Sequence, residues 1–470
     1  MADILIIGSG LGGLSAATLL ARDGHRVTVL ERDPEPPPPV ERSGAAWDRW
    51  HRRGVNQFRL PHFMLPRWWA QMREEIPQLL PTLRTAGALQ FNTMAALPEW
   101  MRGALRADDD RFDTVTARRP VLEAAMSAVA EAAGATIRRG VGVTGFTTDG
   151  RSRVPRITGV LTDRGAAVPA DLVVDCCGRR SALGWWLSAV GARPPAEERE
   201  DSGFVYYARH FWSPTAQFPS QLGNLTQNYN SVTVLTLPGD RGTWSVALTT
   251  SSKDKELRAL RNPATWHAVL RRYPLAAHWA DAIPISGLDV IAGIEDRHRS
   301  LLVDGEPVAT GVLALADAWA CTNPSLGRGT SMAILHARLL RDLLRETDPE
   351  DHEKLARRFH ETTTRVAEPL FRSTLWYDRH RLAEIDADIA GKPYRPADPR
   401  WAATKALAAA SQTDPDLLRE YSSITSFVAT GQEVFARPGV LDRAMTVGAD
   451  SPQYPLPGPT RAELLRTIRA

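Results

Sequence analysis

The sequence predicts a composite α/β fold: a parallel sheet covered by helices, an inserted antiparallel sheet and a helical C-terminal region. Three short apolar runs, at residues 3–7, 171–175 and 311–316, predict the parallel sheet, because each is followed by a glycine-containing turn. The strand-forming, aromatic-rich residues 201–249 predict the antiparallel sheet. Residues 346–470 are mainly helical in pattern.

The first apolar run opens the pattern of a dinucleotide-binding unit. It leads into Gly8-x-Gly10-x-x-Gly13, an Ala/Leu-rich helical pattern follows, and a second apolar run ends on Glu31. Gly8 permits a tight turn, Gly10 lets a pyrophosphate approach the backbone, and Gly13 lets the helix pack close to the strand. The helix N-terminus offers free N–H groups to phosphates, and the acid is placed for a ribose hydroxyl. The pattern predicts a Rossmann-like dinucleotide site without indicating which dinucleotide.

Composition indicates a globular protein without a bulk electrostatic partner. The 470 residues are 43% hydrophobic and 24% charged with a formal net charge of only +3, so we expect no nucleic-acid partner. Cys176, Cys177 and Cys321 form neither a disulfide framework nor a metal-ligand spacing, and no metal site is predicted. No apolar stretch is long enough to span a membrane, and the first apolar run has no basic region before it. We expect a cytoplasmic protein without stable membrane insertion.

Local patterns predict the remaining elements. Pro-rich residues 33–39 predict an extended loop, and the helical pattern of residues 65–80 should bend or end at Pro77. Residues 119–133 predict an amphipathic helix with a proline in its first turn. Residues 258–276 and residues 277–282 also predict helices.

A second anion-binding pattern follows the last buried strand. Asp317 stands at the end of that strand, and the Pro/Gly loop of residues 323–329 leads into a long helix that reaches about Glu346. Like the opening motif, this is a strand, a glycine loop and a helix N-terminus, an arrangement that favours anions.

Together these features resemble the FAD-dependent monooxygenases of the aromatic-hydroxylase superfamily. The motifs that carry the resemblance are Gly8-x-Gly10-x-x-Gly13 with Glu31, Asp175-Cys-Cys-Gly178, and Asp317 with Pro324-x-x-Gly327-x-Gly329. Three further features resemble one branch of this superfamily, the styrene-monooxygenase-like and polyketide-epoxidase enzymes. They are Arg53-Gly54-Val55-x-Gln57, Pro61-His62 and the run from Asp175 through Trp186 to Gly203. A nicotinamide dehydrogenase has the first site but not the third, so the resemblance favours FAD over NAD as the tightly bound dinucleotide.

The resemblance implies a domain organisation and a set of cofactor contacts. Residues 1–195 and 296–345 should form a discontinuous FAD-binding domain, residues 196–295 a substrate-binding sheet domain, and residues 346–470 a C-terminal helical region. The implied cofactor-binding residues are Gly8, Gly10, Gly13, Glu31, Arg32, Arg53, Arg119, Asp317, Pro324, Gly327, Gly329 and Thr330.

Four of the implied site residues are candidates for the chemistry itself. Pro324 and Gly327 should lie beside the isoalloxazine, where backbone N–H groups and the helix dipole stabilise negative charge on the reduced ring. Arg59 and His62 could lie near the flavin face, or they could only satisfy local backbone groups. Ala316 departs from the family, which usually has glycine before this acid, and puts close approach of the cofactor there in question.

The candidate substrate residues are Tyr206, Tyr207, His210, Trp212, Trp244 and Trp319. Because alternate residues of a strand face opposite ways, part of this set must point away from any cavity. Trp319 is so close to the flavin loop that it could narrow the cavity.

The implied function is insertion of one oxygen atom from O2, through a flavin C4a-hydroperoxide, into a hydrophobic, secondary-metabolite-like substrate by epoxidation or hydroxylation. Electrons come from NADH or NADPH, directly or through a separate flavin reductase. The enzymatic alternative is an FAD-dependent reductase or dehydrogenase acting on an alkene or isoprenoid-like substrate, and the non-enzymatic one is a flavin-binding redox sensor. A halogenase is disfavoured, because that chemistry relies on a lysine and a Trp-x-Trp-x-Ile-Pro segment, whereas this chain has no lysine before Lys253 and no such segment.

Overall fold

The computed structural model describes residues 1–150, 152–448 and 450–470. Its strands are β1 (Asp3–Ile7), β2 (Arg26–Glu31), β3 (Leu89–Asn92), β4 (Asp113–Thr116), β5 (Thr136–Arg139), β6 (Val143–Thr148), β7 (Ile157–Thr162), β8 (Ala167–Pro169), β9 (Leu172–Asp175), β10 (Ala196–Asp201), β11 (Phe204–Trp212), β12 (Thr226–Asn228), β13 (Thr233–Pro238), β14 (Thr243–Ser251), β15 (Ile283–Pro284), β16 (Asp289–Ile291), β17 (Glu295–Ser300), β18 (Leu302–Val303), β19 (Glu306–Pro307), β20 (Val312–Ala314) and β21 (Ala320–Cys321).

The helices are α1 (Leu11–Arg22), α2 (Ala46–Arg49), α3 (Pro66–Glu75), α4 (Leu79–Ala86), α5 (Glu99–Arg102), α6 (Arg119–Ala132), α7 (Leu183–Ala189), α8 (Pro263–Leu270), α9 (Gly329–Glu346), α10 (His352–Val366), α11 (Glu368–Ile389), α12 (Pro399–Ala410), α13 (Pro415–Thr425), α14 (Gly431–Phe435), α15 (Val440–Gly448) and α16 (Arg461–Arg469). Within the described residues, no helix is both long enough and apolar enough to cross a bilayer.

The predicted parallel sheet is present, in the order β20-β9-β1-β2-β5, with every pair parallel. Ile7 pairs with Leu30 on one side and with Asp175 on the other, and Asp175 in turn pairs with Ala314. The carboxyl ends of β1, β2, β9 and β20 therefore lie level at one edge. In open α/β sheets this edge is where ligands bind.

The predicted antiparallel sheet is also present. Strands β12, β13, β14, β11 and β15 follow one another in it, and β16 pairs with β11. One face packs against α8 around Trp266, and the other carries Tyr206, Ala208 and Ala247. The mixed α/β class predicted from sequence is confirmed.

Two predicted features differ in the structure. The helix predicted over residues 258–276 is wrong in extent: a 3₁₀ turn ends at Arg261, and α8 begins at Pro263 and ends at Leu270. Asn262 explains the break, because its side chain accepts hydrogen bonds from the N–H groups of Ala264 and Thr265 and caps a new helix. A charged sheet of β10, β17 and β21 was not predicted at all.

The opening glycines allow close backbone packing at the sheet edge. Gly8 has a φ of +100°, and a Cβ added there would lie 2.8 Å from the Cys176 carbonyl oxygen. A Cβ added at Gly13 would lie 2.0 Å from the Gly8 carbonyl oxygen. Such distances are far below van der Waals contact, so α1 can lie this close to β1 only without those side chains.

The alanine that departs from the family pattern keeps a glycine-like conformation. Ala316 has a φ of 53°, and its amide donates to His336 Nδ1 over 3.2 Å. A Cβ added at Gly12 would lie 2.9 Å from the Ala316 Cβ. Helix α1 therefore makes room for the alanine with a glycine outside the recognised triplet.

We predict that Gly12→Ala destabilises the fold by about 1–2 kcal/mol, because the new methyl group overpacks against Ala316. The double variant Gly12→Ala/Ala316→Gly should recover this loss, since it removes the opposing methyl group and the left-handed alanine. Urea unfolding measures both effects. Gly184→Ala is the control, because a Cβ there meets nothing within 4 Å. An equal cost of Gly12→Ala in both backgrounds would contradict the account.

Candidate active site

A cavity of about 370 Å³ lies between the parallel sheet, the antiparallel sheet and the C-terminal helices. Its lining at the parallel-sheet edge includes Gly10, Gly12, Gly178, Asp317 and Gly329, which come from the three strand-end loops. A Cβ added at Gly178 would lie 3.9 Å from the Asp317 Cβ, and one added at Gly329 would lie 4.0 Å from Asp317 Oδ1. The three strand-end loops, which the resemblance assigns to one cofactor, therefore line one cavity around Asp317.

Two helix N-termini at this cavity have unused hydrogen-bond donors. Neither Gly10, which precedes α1, nor Arg328, which precedes α9, provides a side-chain cap. In the first turn of α9, Thr330 Oγ1 is buried and has no hydrogen-bond partner among the described residues. Helix N-termini carry partial positive charge, so this edge of the cavity is built to receive an anion.

Arginine side chains add full charges to the same edge. Arg119 lines the cavity, donates from Nε to Glu123 Oε1 over 2.7 Å, and has Nη2 3.9 Å from the position of a Cβ added at Gly10. Arg179, directly after Gly178, also lines the cavity, and its buried Nε has no partner in the described part of the chain. Burial raises the pKa of Asp317, against the opposing effect of Arg179 and Arg119.

This donor set fits the FAD implied by the resemblance. A diphosphate needs backbone N–H groups and cations, which α1, α9, Arg119 and Arg179 provide. Asp317 and the unpartnered Thr330 hydroxyl offer further polar contacts at the cavity wall. The residues that would hold FAD are therefore Gly10, Arg119, Arg179, Asp317 and the first turn of α9.

Glu31 lies at the predicted place, the end of β2, but it is already engaged. Its Oε2 accepts from Ser9 N over 2.9 Å and from Ser9 Oγ over 2.8 Å, and Oε1 accepts from the Asp33 amide over 2.9 Å. The buried Arg52 guanidinium pairs with Glu31 and with Glu123. Contact of Glu31 with a ribose stays a prediction.

Arg52 holds several buried carboxylates together. It also approaches Asp33, with 3.4 Å between Arg52 Nε and Asp33 Oδ2, and it donates to the Ser9 carbonyl over 3.0 Å. Burial raises the pKa of Glu31 and Glu123, but the other effects together are stronger and lower both pKa values: the charge of Arg52 acts on both, with hydrogen bonds from Ser9 and Asp33 for Glu31 and the charge of Arg119 for Glu123. This cluster fixes β2, the glycine turn and α6 relative to one another.

Two predicted cofactor residues lie away from the cavity. Arg32 and Arg53 are both exposed, and Arg32 donates to the Gly54 carbonyl over 3.2 Å. The neighbour of Arg53, Arg52, is the one that turns inward. In a loop, two adjacent arginines cannot be told apart by periodicity, so the sequence did not indicate which would be buried.

Of the four predicted catalytic candidates, three line the cavity and one does not. Pro324, Gly327 and His62 line the cavity. His62 Nδ1 lies 2.9 Å from the Leu60 carbonyl, and burial together with the Arg119 charge lowers its pKa to about 4, so His62 is neutral at pH 7. Arg59 does not line the cavity; its Nη2 lies 3.1 Å from His51 Nδ1.

The substrate candidates separate by strand face. Tyr206 and Trp319 line the cavity. Tyr207 and Trp244 point to the opposite face of the antiparallel sheet, where Trp266 Nε1 donates to the Tyr207 carbonyl over 2.9 Å and Trp244 Nε1 to the Trp279 carbonyl over 2.8 Å.

The other two substrate candidates lie outside the cavity lining. His210 packs against Trp47 with ring centroids 4.6 Å apart, and Trp212 is exposed at the end of β11. Tyr207 and Trp244 do not line the cavity because alternate residues of a strand face opposite ways. His210 and Trp212 do not line it because they lie too far along β11 from the cavity.

Sequence reasoning missed Arg179, Arg52 and the aromatic residues of the C-terminal helices. The signal for Arg179 was available, because it directly follows the glycine of the second strand-end loop. Helices α11 and α13 contribute cavity residues more than 300 positions from the opening motif, and no local pattern indicates that. They include Phe371, Trp376, Tyr377, Tyr421 and Ile424.

We predict that Arg179→Met weakens FAD binding by about 10- to 100-fold, the value of one charge-assisted hydrogen bond to an anion. Arg179 forms no ion pair among the described residues, and its buried Nε has no partner there. Without FAD, the thermal unfolding temperature of the Arg179→Met variant should therefore stay close to that of the parent. Arg180→Met is the matched control, since Arg180 is the next residue and is exposed. Titration of apoprotein with FAD measures both; equal loss of affinity in the two variants would contradict the assignment.

We predict that Arg52→Met destabilises the fold by about 3–5 kcal/mol at neutral pH, because it leaves buried carboxylates unpaired. Their pKa values are lowered in the parent, so the parent gains this stability above about pH 4.5 and loses it as the pH falls through the folded-state values. The difference between variant and parent should therefore shrink towards pH 4. The control Arg26→Met removes an exposed ion pair and should cost less than about 1 kcal/mol. A pH-independent penalty for Arg52→Met would contradict the assignment.

The chain is similar to several known proteins. The chain is similar to Protein Rv3254 of Mycobacterium tuberculosis, with 26% identity over 453 residues and coverage of 90% of each chain. Its structure is similar to that of PqsL, a probable FAD-dependent monooxygenase from Pseudomonas aeruginosa, with a TM-score of 0.56, 20% identity and coverage of 82% of this chain and 99% of that one. It is also similar to CmlS, a flavin-dependent halogenase, with a TM-score of 0.60, 15% identity and coverage of 99% of this chain and 76% of that one.

At these identities the solved structures show the fold alone. The profile of one protein family, described as FAD dependent oxidoreductase, matches residues 3–343, which include all three strand-end loops around the cavity. The chain therefore belongs to the FAD dependent oxidoreductase family.

Proposed function

We propose that this chain is an FAD-dependent monooxygenase that inserts one oxygen atom of O2 into a hydrophobic small molecule, by epoxidation or hydroxylation. The observation that carries the proposal is the continuity of the cavity. It extends from the anion-binding edge at Gly10 and Asp317 to a chamber lined by Tyr206, Trp319 and Phe371. One continuous cavity thus adjoins both the proposed cofactor site and an apolar surface suited to an organic substrate.

When bound, FAD supplies the redox and oxygen-activating chemistry. The chain's own contribution is binding, orientation and exclusion of water. Trp319 forms part of a dense wall, with ring centroids 5.0 Å from His298 and 4.8 Å from His336. Tyr206 donates to Asn323 Oδ1, which holds its ring beside the loop of residues 323–329. These packed side chains would limit access of water to the reacting atoms of a bound cofactor.

The cavity disfavours halogenation. Among the described residues no lysine lines it, whereas halogenase chemistry relies on an essential lysine. The rival that needs an experiment is the FAD-dependent reductase or dehydrogenase acting on an alkene, because it requires the same cofactor site and a similar apolar chamber. NADH or NADPH is the proposed electron donor, acting directly or through a separate flavin reductase.

We predict oxygen-dependent product formation when the FAD-loaded chain is given NADH or NADPH, with and without a flavin reductase, and a panel of apolar alkenes and aromatic compounds. Mass spectrometry with isotopically heavy O2 should find one heavy oxygen atom in the product. Arg179→Met should lose this incorporation at limiting FAD and Arg180→Met should retain it. A product that forms without O2 and carries two added hydrogens would contradict the proposal and favour the reductase.

A further inference from the structure

A charged side chain in the helical half of the cavity is unused by the proposed FAD site. Arg328 lies between Gly327 and Gly329, lines the cavity and reaches towards α11. Its Nη1 donates to Thr374 Oγ1 over 2.9 Å and to Ser373 Oγ over 3.2 Å. Within the described residues it forms no ion pair, and its Nε and Nη2 donate to no protein acceptor.

Arg328 and a second arginine, Arg67, lie against the same aromatic ring. The Phe427 ring centroid lies 4.5 Å from Arg328 Cζ and 5.0 Å from Arg67 Cζ, so two cations share one aromatic ring. Arg67 Nη1 donates to the Phe427 carbonyl over 3.2 Å. Phe427 itself has a φ of 62°, and this left-handed turn presents its ring between the two arginines.

The acids nearby do not neutralise this charge. Among the acids, Asp378 has the largest effect on the pKa of Arg328, but it lies beyond ion-pair distance. Asp378 Oδ1 accepts a hydrogen bond from Ser325 Oγ over 3.1 Å, and Oδ2 has no partner among the described residues. Burial and the neighbouring Asp296 raise the pKa of Asp378 to about 7, so part of its population is neutral at pH 7. Burial lowers the pKa of Arg328 to about 10, which still leaves it charged.

A partly buried guanidinium whose Nε–Nη2 edge has no protein acceptor is suited to one kind of partner. That edge offers two parallel N–H groups, which match the two oxygens of a carboxylate, and enclosure strengthens such a pair. Phe371, Trp376 and Ile424 line the same part of the cavity and offer contact to an apolar body. The chamber thus combines one anion site with aromatic walls.

We propose that Arg328 binds the carboxylate of a hydrophobic organic acid, and that this acid is the substrate class of the enzyme. The identification as substrate rests on the proposed function, whereas the binding of the acid does not. The carboxylate pairs with the Nε–Nη2 edge of Arg328, and Ser373 and Thr374 hold the guanidinium through Nη1.

The test compares naphthoate with its uncharged amide, naphthamide, by calorimetric titration of the FAD-loaded chain. Naphthoate should bind at least about 10-fold more tightly, the value of a charge-assisted pair. Arg328→Met should abolish this preference while naphthamide binding is unchanged, and Arg328→Lys should retain part of it. Arg73→Met, an exposed arginine on α3, should behave as the parent. Flavin content and thermal unfolding of each variant establish that it is folded.

Equal binding of the acid and the amide, or an unchanged preference in Arg328→Met, would overturn the proposal. A preference unchanged in Arg328→Met together with a shifted flavin reduction potential would assign Arg328 to the flavin instead. The titration involves no turnover, so failure of oxygen incorporation leaves its result intact. Conversely, oxygen incorporation into neutral substrates with no acid preference would uphold the monooxygenase and reject the carboxylate site.

Discussion

The level carboxyl ends of the parallel strands are the constraint on which the cavity depends. The pairing of Ile7 with Asp175, and of Asp175 with Ala314, brings the loops that follow β1, β9 and β20 to one edge. These loops can share a ligand only if α1 packs closely against them. Gly13 and Gly12 permit that packing, the first against the Gly8 carbonyl and the second against the Ala316 methyl group. The left-handed Ala316 turns the chain so that Asp317 faces the cavity between Gly178 and Gly329.

Charge balance divides the site into two functional halves. At the end of β2, Arg52 pairs with Glu31, Asp33 and Glu123, and its role is to hold β2 and α6 on the glycine turn. At the cavity, Arg179 and Arg328 have no carboxylate partner among the described residues. A charged group without a carboxylate partner at a cavity wall is available to an anionic ligand. We propose the FAD diphosphate for Arg179 and a carboxylate for Arg328.

The sequence predicted those parts of the fold whose stability comes from apolar burial in a regular period. Strands β1, β9 and β20 are continuous apolar runs, and α6 begins at Arg119 as its proline indicated. Strands β10 and β17 could not be predicted in this way, because they read as charged surface. Their buried member Arg299 is satisfied across the strands by Glu197, over 2.6 Å between Nε and Oε1. In β10 and β17, ion pairs between neighbouring strands stabilise the sheet in place of buried apolar side chains, and a single sequence does not show which residues will pair.

The same limit applies to the site. Glycines and acids at strand ends were found because the chemistry of turns and phosphates restricts those positions to few residue types. No such restriction acts on side-chain direction. The sequence therefore predicts a cofactor contact for Arg53, although Arg52 is the buried neighbour, and substrate contacts for Tyr207 and Trp244, although both face α8. The chamber walls from α11 and α13 depend on tertiary packing of the C-terminal helices across the cavity, which no local pattern encodes.

A crystal structure of the chain saturated with FAD tests the central claim most directly. The account predicts electron density for the diphosphate between the N-terminus of α1 and Arg179, with the isoalloxazine beside residues 324–329 and the chamber of Tyr206 and Trp319 open in front of it. Density for FAD outside this cavity, or a diphosphate that contacts neither Gly10 nor Arg179, would contradict it.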